Sequence, residues 1–123
     1  MKVRDIVAAL DGDLLTGTHL LDLDIEAAFG ADLMSDVMAY VNESVVLLTG
    51  LINPQSIRTA DLMDIRVIVF VRGKVPGADM VSEAQSNGMA VIATRHSMFI
   101  SCGLLYEGGI RRSGVREHQV RDQ

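Results

Sequence analysis

The sequence predicts an α/β fold, a three-layer α/β/α sandwich with a mostly parallel central sheet. Three observations carry this. From residue 44 onward, β-branched apolar segments alternate with helical ones in the order β-α-β-α-β-α, the rhythm of parallel strands joined by right-handed crossovers. Residues 65–71 and 89–93 are almost wholly apolar, as strands covered on both faces are. The segments between them are bounded by helix signals, Asn53-Pro54 at one start and Asn87-Gly88 at one stop.

The elements follow in order. Residues 3–10 read as an amphipathic helix with Ile6, Val7 and Leu10 on one face, stopped by Asp11-Gly12-Asp13. Residues 14–16 form a short strand, followed by a turn through Gly17. Residues 21–28 alternate, with Leu21, Leu23, Ile25 and Ala27 set against Asp22, Asp24 and Glu26. That period of two predicts a strand with one wet face. Residues 32–41 form a helix, since Leu33, Met34, Val37, Met38 and Val41 recur at helical spacing. Residues 44–49 form the first buried strand. Asn53 caps a helix that has Pro54 at its first position and runs to about Met63. The strand 65–71, the helix 77–87, the strand 89–93 and the helix 97–106 complete the chain, the last helix ending at Gly108-Gly109. The first part thus adds a helix and two edge strands to the βα repeat.

A chain of 123 residues is one domain by length. Residues 1–110 form it, and residues 111–123 are expected to be a disordered basic tail. The core must be aliphatic: apolar residues make up 49% and Trp is absent, with seven Met as filler. The net charge of -5 is unevenly spread. Asp5, Asp11, Asp13, Asp22, Asp24, Glu26, Asp32 and Asp36 crowd the first third, while Arg111, Arg112, Arg116 and Arg121 mark the tail. An acidic body repels nucleic acid, and the tail has no interleaved aromatic residues, so no nucleic-acid partner is expected. Cys102 is the single cysteine, which excludes an intrachain disulfide and a cysteine metal cluster. No signal-peptide core opens the chain and no apolar run can span a bilayer, so a cytoplasmic protein without a membrane partner is expected.

The cationic and hydroxyl side chains gather in three loops, each directly after a buried strand. They are Thr49-Gly50-Leu51-Ile52-Asn53, Val71-Arg72-Gly73-Lys74 and Thr94-Arg95-His96-Ser97. In an open α/β sheet, ligands sit outside the carboxyl ends of the strands, where helix N-termini favour anions. Thr49, Gly50, Asn53, Arg72, Gly73, Lys74, Thr94, Arg95 and His96 are therefore the candidate ligand-binding residues. Gly50 allows close backbone approach, and Arg72, Lys74 and Arg95 neutralise charge. The plainer alternative is an ordinary turn with an Asn cap, a solvated loop tip and a surface histidine.

Other patterns carry less. Asp32 and Asp36, four apart on one helix face, suit either Mg²⁺ with waters or a helix start beside solvent. Asp22, Asp24 and Glu26 lack the Gly and terminal Glu of a calcium loop. Cys102 reads as an inert thiol inside an apolar helix, and Ser97 and Ser101 lack a His/Asp set. No phosphate-binding G-x-x-x-x-G-K-[ST] and no G-x-G-x-x-G exists, so neither kinase nor dehydrogenase chemistry is supported. Metals and cofactors are not expected.

Lys2-Val3-Arg4-Asp5-Ile6-Val7, the stretch from Gly30 through Asp32 and Asp36 to Ala39, and the block from Ile65 through Phe99 resemble the DRTGG domain. That small α/β module is found in HPr kinase/phosphorylase, in long phosphotransacetylases and between CBS domains of some pyrophosphatases. The likeness covers about residues 1–110. The Asp-Arg-Thr-Gly-Gly string itself is absent, and where family members often carry Thr-Gly-Gly after the third strand this chain reads Arg72-Gly73-Lys74. The resemblance implies a non-catalytic regulatory module, often a dimerisation unit, and transfers no catalytic residue. A homodimer is expected, with Met34, Met38 and Leu51 as surplus apolar positions. A nucleotide or phosphorylated metabolite and a kinase or metabolic enzyme are the further partners expected. The alternatives are a phosphate- or nucleotide-binding sensor as the main role, and an enzyme using His96 as acid or base.

Overall fold

The structure, a computed structural model, describes residues 1–115. The chain order is α1 (Val3–Ala9), β1 (Asp13–Thr16), a 3₁₀ turn (Thr18–Leu20), β2 (Ala28–Gly30), α2 (Met34–Tyr40), β3 (Val46–Thr49), α3 (Pro54–Leu62), β4 (Val67–Phe70), α4 (Ala78–Ser86), β5 (Ala90–Ala93) and α5 (Met98–Glu107). The five strands form one sheet in the order β1-β5-β4-β3-β2. Strands β2 to β5 are parallel to their neighbours, and β1 pairs antiparallel with β5. The expected α/β sandwich with a mostly parallel sheet is the observed fold.

The strands form because their residues are β-branched or aliphatic and find cover on both sides. Val46, Leu47, Leu48, Val67, Ile68, Val69, Phe70, Ala90, Val91 and Ile92 are all fully buried. Alternation divides them between two cores. Leu47, Ile68, Phe70 and Val91 pack with Met34 and Val37 of α2, Ile57 and Ala60 of α3, and Met80 and Ala84 of α4. Val46, Leu48, Val67, Val69 and Ile92 pack with Val3 and Ile6 of α1 and Leu105 of α5. Each Val, Leu, Ile, Phe or Met among them contributes roughly 1.5–3 kcal/mol on burial. Strands β2 to β5 succeed one another in a single direction across the sheet. Crossovers of one hand then place α2, α3 and α4 on the same face.

Three expectations change. Residues 21–28 do not form a strand; only Ala28–Gly30 does. The N-terminal segment claims their backbone instead: Ile25 N–H donates to Met1 O at 2.7 Å, and Leu23 and Leu21 accept from Val3 and Arg4 at 3.0 Å. Helix α2 starts at Met34, not at Asp32, behind an extended Leu33. Asp32 and Asp36 therefore do not share a helix face. Of the apolar residues assigned to a dimer surface, Met34 is buried in the core and Leu51 packs against it, while Met38 is half exposed.

The tail begins as a strap on the body. Arg112 forms a bridge with Ala27, and Val115 one with Val41. The Arg112 guanidinium contacts Glu43 at 2.6 Å and Glu26 at 3.6 Å. Residues 116–123, with Arg116 and Arg121, lie outside the described residues. Gly114 is required where it stands: its φ is +67°, and a Cβ would run into Val45 and lie 3.2 Å from Ala27. Gly114→Val should therefore lift the strap and lower stability by about 1–2 kcal/mol, through strain and lost Val115 packing. Ser113→Ala, at an exposed position, should leave the melting temperature unchanged. Paired thermal melts of the two variants check this.

Candidate functional site

Thr49, Phe70 and Ala93 are in register at the carboxyl ends of β3, β4 and β5, so the three loops leave one edge of the sheet. The first loop closes on itself. Thr49 is buried, and its Oγ1 accepts from Leu51 N–H at 3.1 Å. Ser56 Oγ donates to Leu51 O at 2.6 Å. Asn53 is the N-cap of α3 and accepts from Gln55 N–H at 2.8 Å.

The second loop is a tight turn. Arg72 and Gly73 have φ of 66° and 74°, positive at both central positions as in a type I′ turn. For arginine that backbone costs about 1 kcal/mol or more and persists because neighbours fix it. Here the third loop fixes it: Arg72 N–H donates to His96 O at 2.8 Å, and Gly73 N–H donates to Thr94 O at 2.9 Å. The backbone is consumed by these bonds, and the Arg72 and Lys74 side chains are left outside.

Asp32 draws together part of the first two loops. Its Oδ1 accepts from Gly50 N–H at 2.8 Å, and its Oδ2 lies 3.5 Å from the Arg72 guanidinium. That guanidinium lies against the Gly50 backbone, since a Cβ on Gly50 would sit 2.7 Å from its Cζ and 2.9 Å from its Nε. Glycine is what permits the approach. The opposite end of the edge is a concavity of about 360 Å³ lined by Gly73, Val75, Ala93, Thr94 and Arg95 with Asp11 and Asp13. Arg95 reaches Asp11 Oδ2 at 3.4 Å in an exposed pair.

The nine residues predicted from sequence thus divide. Gly50 and Arg72 meet at Asp32, while the buried Thr49 hydroxyl braces its own loop. Gly73, Thr94 and Arg95 line the concavity. The His96 main chain holds the turn, its side chain half-buried and joined by hydrogen bond to no other described residue. Asn53 serves as a cap, and Lys74 extends outward. Sequence reasoning missed Asp32, Asp11 and Asp13 as members of the edge. Asp32 follows β2, a parallel strand, so correct placement of that strand would have put it among the strand-end loops. Among the described residues no group of three or more His, Cys, Asp or Glu gathers as a metal site. Burial pushes the Cys102 thiol up, so it stays protonated at neutral pH.

Thr94 bears the edge structurally. It is buried, its Oγ1 donates to Leu10 O at 2.7 Å and accepts from His96 N–H at 3.3 Å. Thr94→Val leaves both main-chain groups unpaired and should cost about 1–3 kcal/mol in denaturant melts. Thr94→Ser should retain most of the wild-type stability.

No family model matches the chain, and no curated protein matches it. Among solved structures it is similar to the CBS and DRTGG domains of the regulatory region of Clostridium perfringens pyrophosphatase, complexed with the activator diadenosine tetraphosphate. The match has a TM-score of 0.67 at 13% identity and covers 90% of this chain and 50% of that one, so this chain spans half of its length. At that identity the likeness is one of fold. The chain has the fold of a DRTGG-like module, as the resemblance in its sequence implies.

Proposed function

We propose that this chain is a non-catalytic regulatory module that pairs with a second copy through α5 and reads an anionic ligand, a nucleotide or phosphorylated metabolite, at its strand-end loops. The observation that carries the reading is the outer face of α5. This helix is apolar all round, Met-Phe-Ile-Ser-Cys-Gly-Leu-Leu-Tyr-Glu, yet only one side meets the sheet. Phe99 is 83% exposed, and Ile100 and Tyr106 are exposed with it. An unburied apolar stripe of this kind marks an interaction surface.

A second copy is the occupant that fits. Phe99, Ile100, Gly103 and Leu104 line a shallow apolar groove of about 260 Å³ that Glu107 closes. Gly103 leaves open space where a Cβ would stand. Knob and groove lie on the same helix, so a two-fold antiparallel pairing seats each Phe99 over the other copy's Gly103. The fold likeness supports a regulatory role, and the activator held by that pyrophosphatase region supports a nucleotide as ligand class. Arg72, Lys74 and Arg95 supply the charge for it.

Light scattering at tens of micromolar, roughly the regime of ordinary protein pairing, should give a dimer. Phe99→Glu should give a folded monomer with the wild-type circular-dichroism spectrum, its melting temperature lowered only by the loss of the pairing. A wild-type monomer would sink the pairing. For the ligand, a thermal-shift panel of nucleotides, acyl phosphates and sugar phosphates should yield a hit worth about 2.7 kcal/mol at a hundred times its Kd. A flat panel would leave a pairing module without a sensor.

A further inference from the structure

We propose that Asp32 is a built-in competitor at the anion position formed by Gly50 N–H and the Arg72 guanidinium, and that an incoming phosphate group binds there by displacing it. The inference rests on the ligand reading above and adds the device that sets its threshold.

The donors of the edge show why this position stands apart. Leu51 N–H is taken by Thr49 Oγ1, Gln55 N–H by Asn53, Arg72 N–H by His96 O and Gly73 N–H by Thr94 O. Those acceptors belong to the loops themselves and cannot leave without unmaking the turns. Gly50 N–H is different. Its acceptor is a side chain from another loop, 18 residues away in sequence and about half exposed. The Arg72 contact is different too. At 3.5 Å it is longer than a strong charge-assisted bond of about 2.7–2.9 Å. The guanidinium has five donors, and half of the side chain faces water.

A main-chain N–H and a guanidinium laid against one glycine therefore converge on a single oxyanion, now a carboxylate. A phosphate oxygen has the same needs with more charge and more acceptor sites, and Arg72 can meet it through two donors. Asp32 can withdraw because Leu33 is extended and no helix holds it: α2 begins two residues later. While Asp32 remains in place, its charge repels the ligand and occupies both donors. The module would then answer only to ligand concentrations high enough to displace it.

Calorimetric titration of the whole chain at low ionic strength tests this, with ATP, acetyl phosphate and inorganic phosphate as probes. Asp32→Asn keeps an acceptor for Gly50 N–H and removes the charge. It should bind at least one probe about tenfold tighter than wild type, the scale of one like-charge contact and one exposed ion pair at the surface. Asp32→Ser should do the same should the Asn variant fold poorly, with circular dichroism as the check on folding. Adding Arg72→Gln to either should abolish the gain. Tightening for ATP alone points to a nucleotide, whereas tightening for all three assigns the position to phosphate as such. Equal affinity of wild type and Asp32→Asn, or weaker binding by the variant, overturns the competitor while leaving the ligand reading intact. Absence of binding to every probe by both proteins overturns the two together.

Discussion

Burial of the parallel strands on both faces is the constraint on which the rest of this structure depends. A parallel strand cannot leave one side wet, because each crossover brings its helix back across the sheet. The chain meets this with runs such as Val67–Phe70, in which no side chain reaches solvent. Two cores result, covered among the described residues by α2, α3 and α4 on one face and by α1 and α5 on the other. The same pairing aligns Thr49, Phe70 and Ala93, so the loops share one edge as a consequence of core formation. The main-chain ladder continues past the strands: Val71 N–H donates to Thr49 O and Thr94 N–H to Phe70 O, each at 3.0 Å. The loop positions are therefore fixed by the sheet rather than by the loops' own composition.

The strand order limits what that edge can be. Because β2 to β5 advance without reversal, the helices that follow β2, β3 and β4 stay on one face. Ligand crevices in open α/β sheets form where the order reverses and neighbouring loops diverge to opposite faces. Here the change comes at β5, after which α5 crosses to the other face, and at β1, which runs antiparallel. The concavity of about 360 Å³ on the edge lies there, between Arg95, Asp11 and Asp13. The Asp32 cluster lies toward the other end, beside β2 and β3. The edge has two chemically distinct places, one with two carboxylates near a single arginine and one with an arginine laid on a glycine.

Much of the fold was legible because periodicity and punctuation agreed. The apolar runs at 46–49, 67–70 and 90–93, the Asn53-Pro54 start and the Asn87-Gly88 stop each rest on local chemistry, and Gly88 takes the positive φ that such a stop needs. Residues 21–28 misled because alternation reports two environments, not a ladder. Ile25 and Ala27 are buried and Asp24 and Glu26 exposed, as the pattern implies, but the N-terminal residues supply the hydrogen bonds. That error concealed Asp32, whose role follows from the end of β2 two residues before it. The face of α5 was equally hard to read. A helix apolar on every side has no stripe to reveal its orientation, and only the sheet's position shows that Phe99 points away.

The core and the charged sheet edge are separated on this molecule by burial. The strand cores and the Thr94 hydroxyl lie where each lost contact is costly. The ion pairs of the strand-end loops lie at the surface, with Arg72 and Asp32 about half exposed and Arg95 and Asp11 more so. Pairs in that setting contribute about 0–1 kcal/mol and weaken with salt. Exchanging a carboxylate for another anion at such a pair leaves the fold almost unmoved, because the turns beneath are held by main-chain bonds. The two arginines at this sheet edge, Arg72 and Arg95, are thus balanced by carboxylates, Asp32 and Asp11, that contribute little to folding. Such carboxylates are the ones a competing oxyanion can replace without disturbing the core. The strained backbone of Arg72 fits this division. Its φ of 66° is maintained by His96 and Thr94 from below, so the side chain above can change partner while the turn does not.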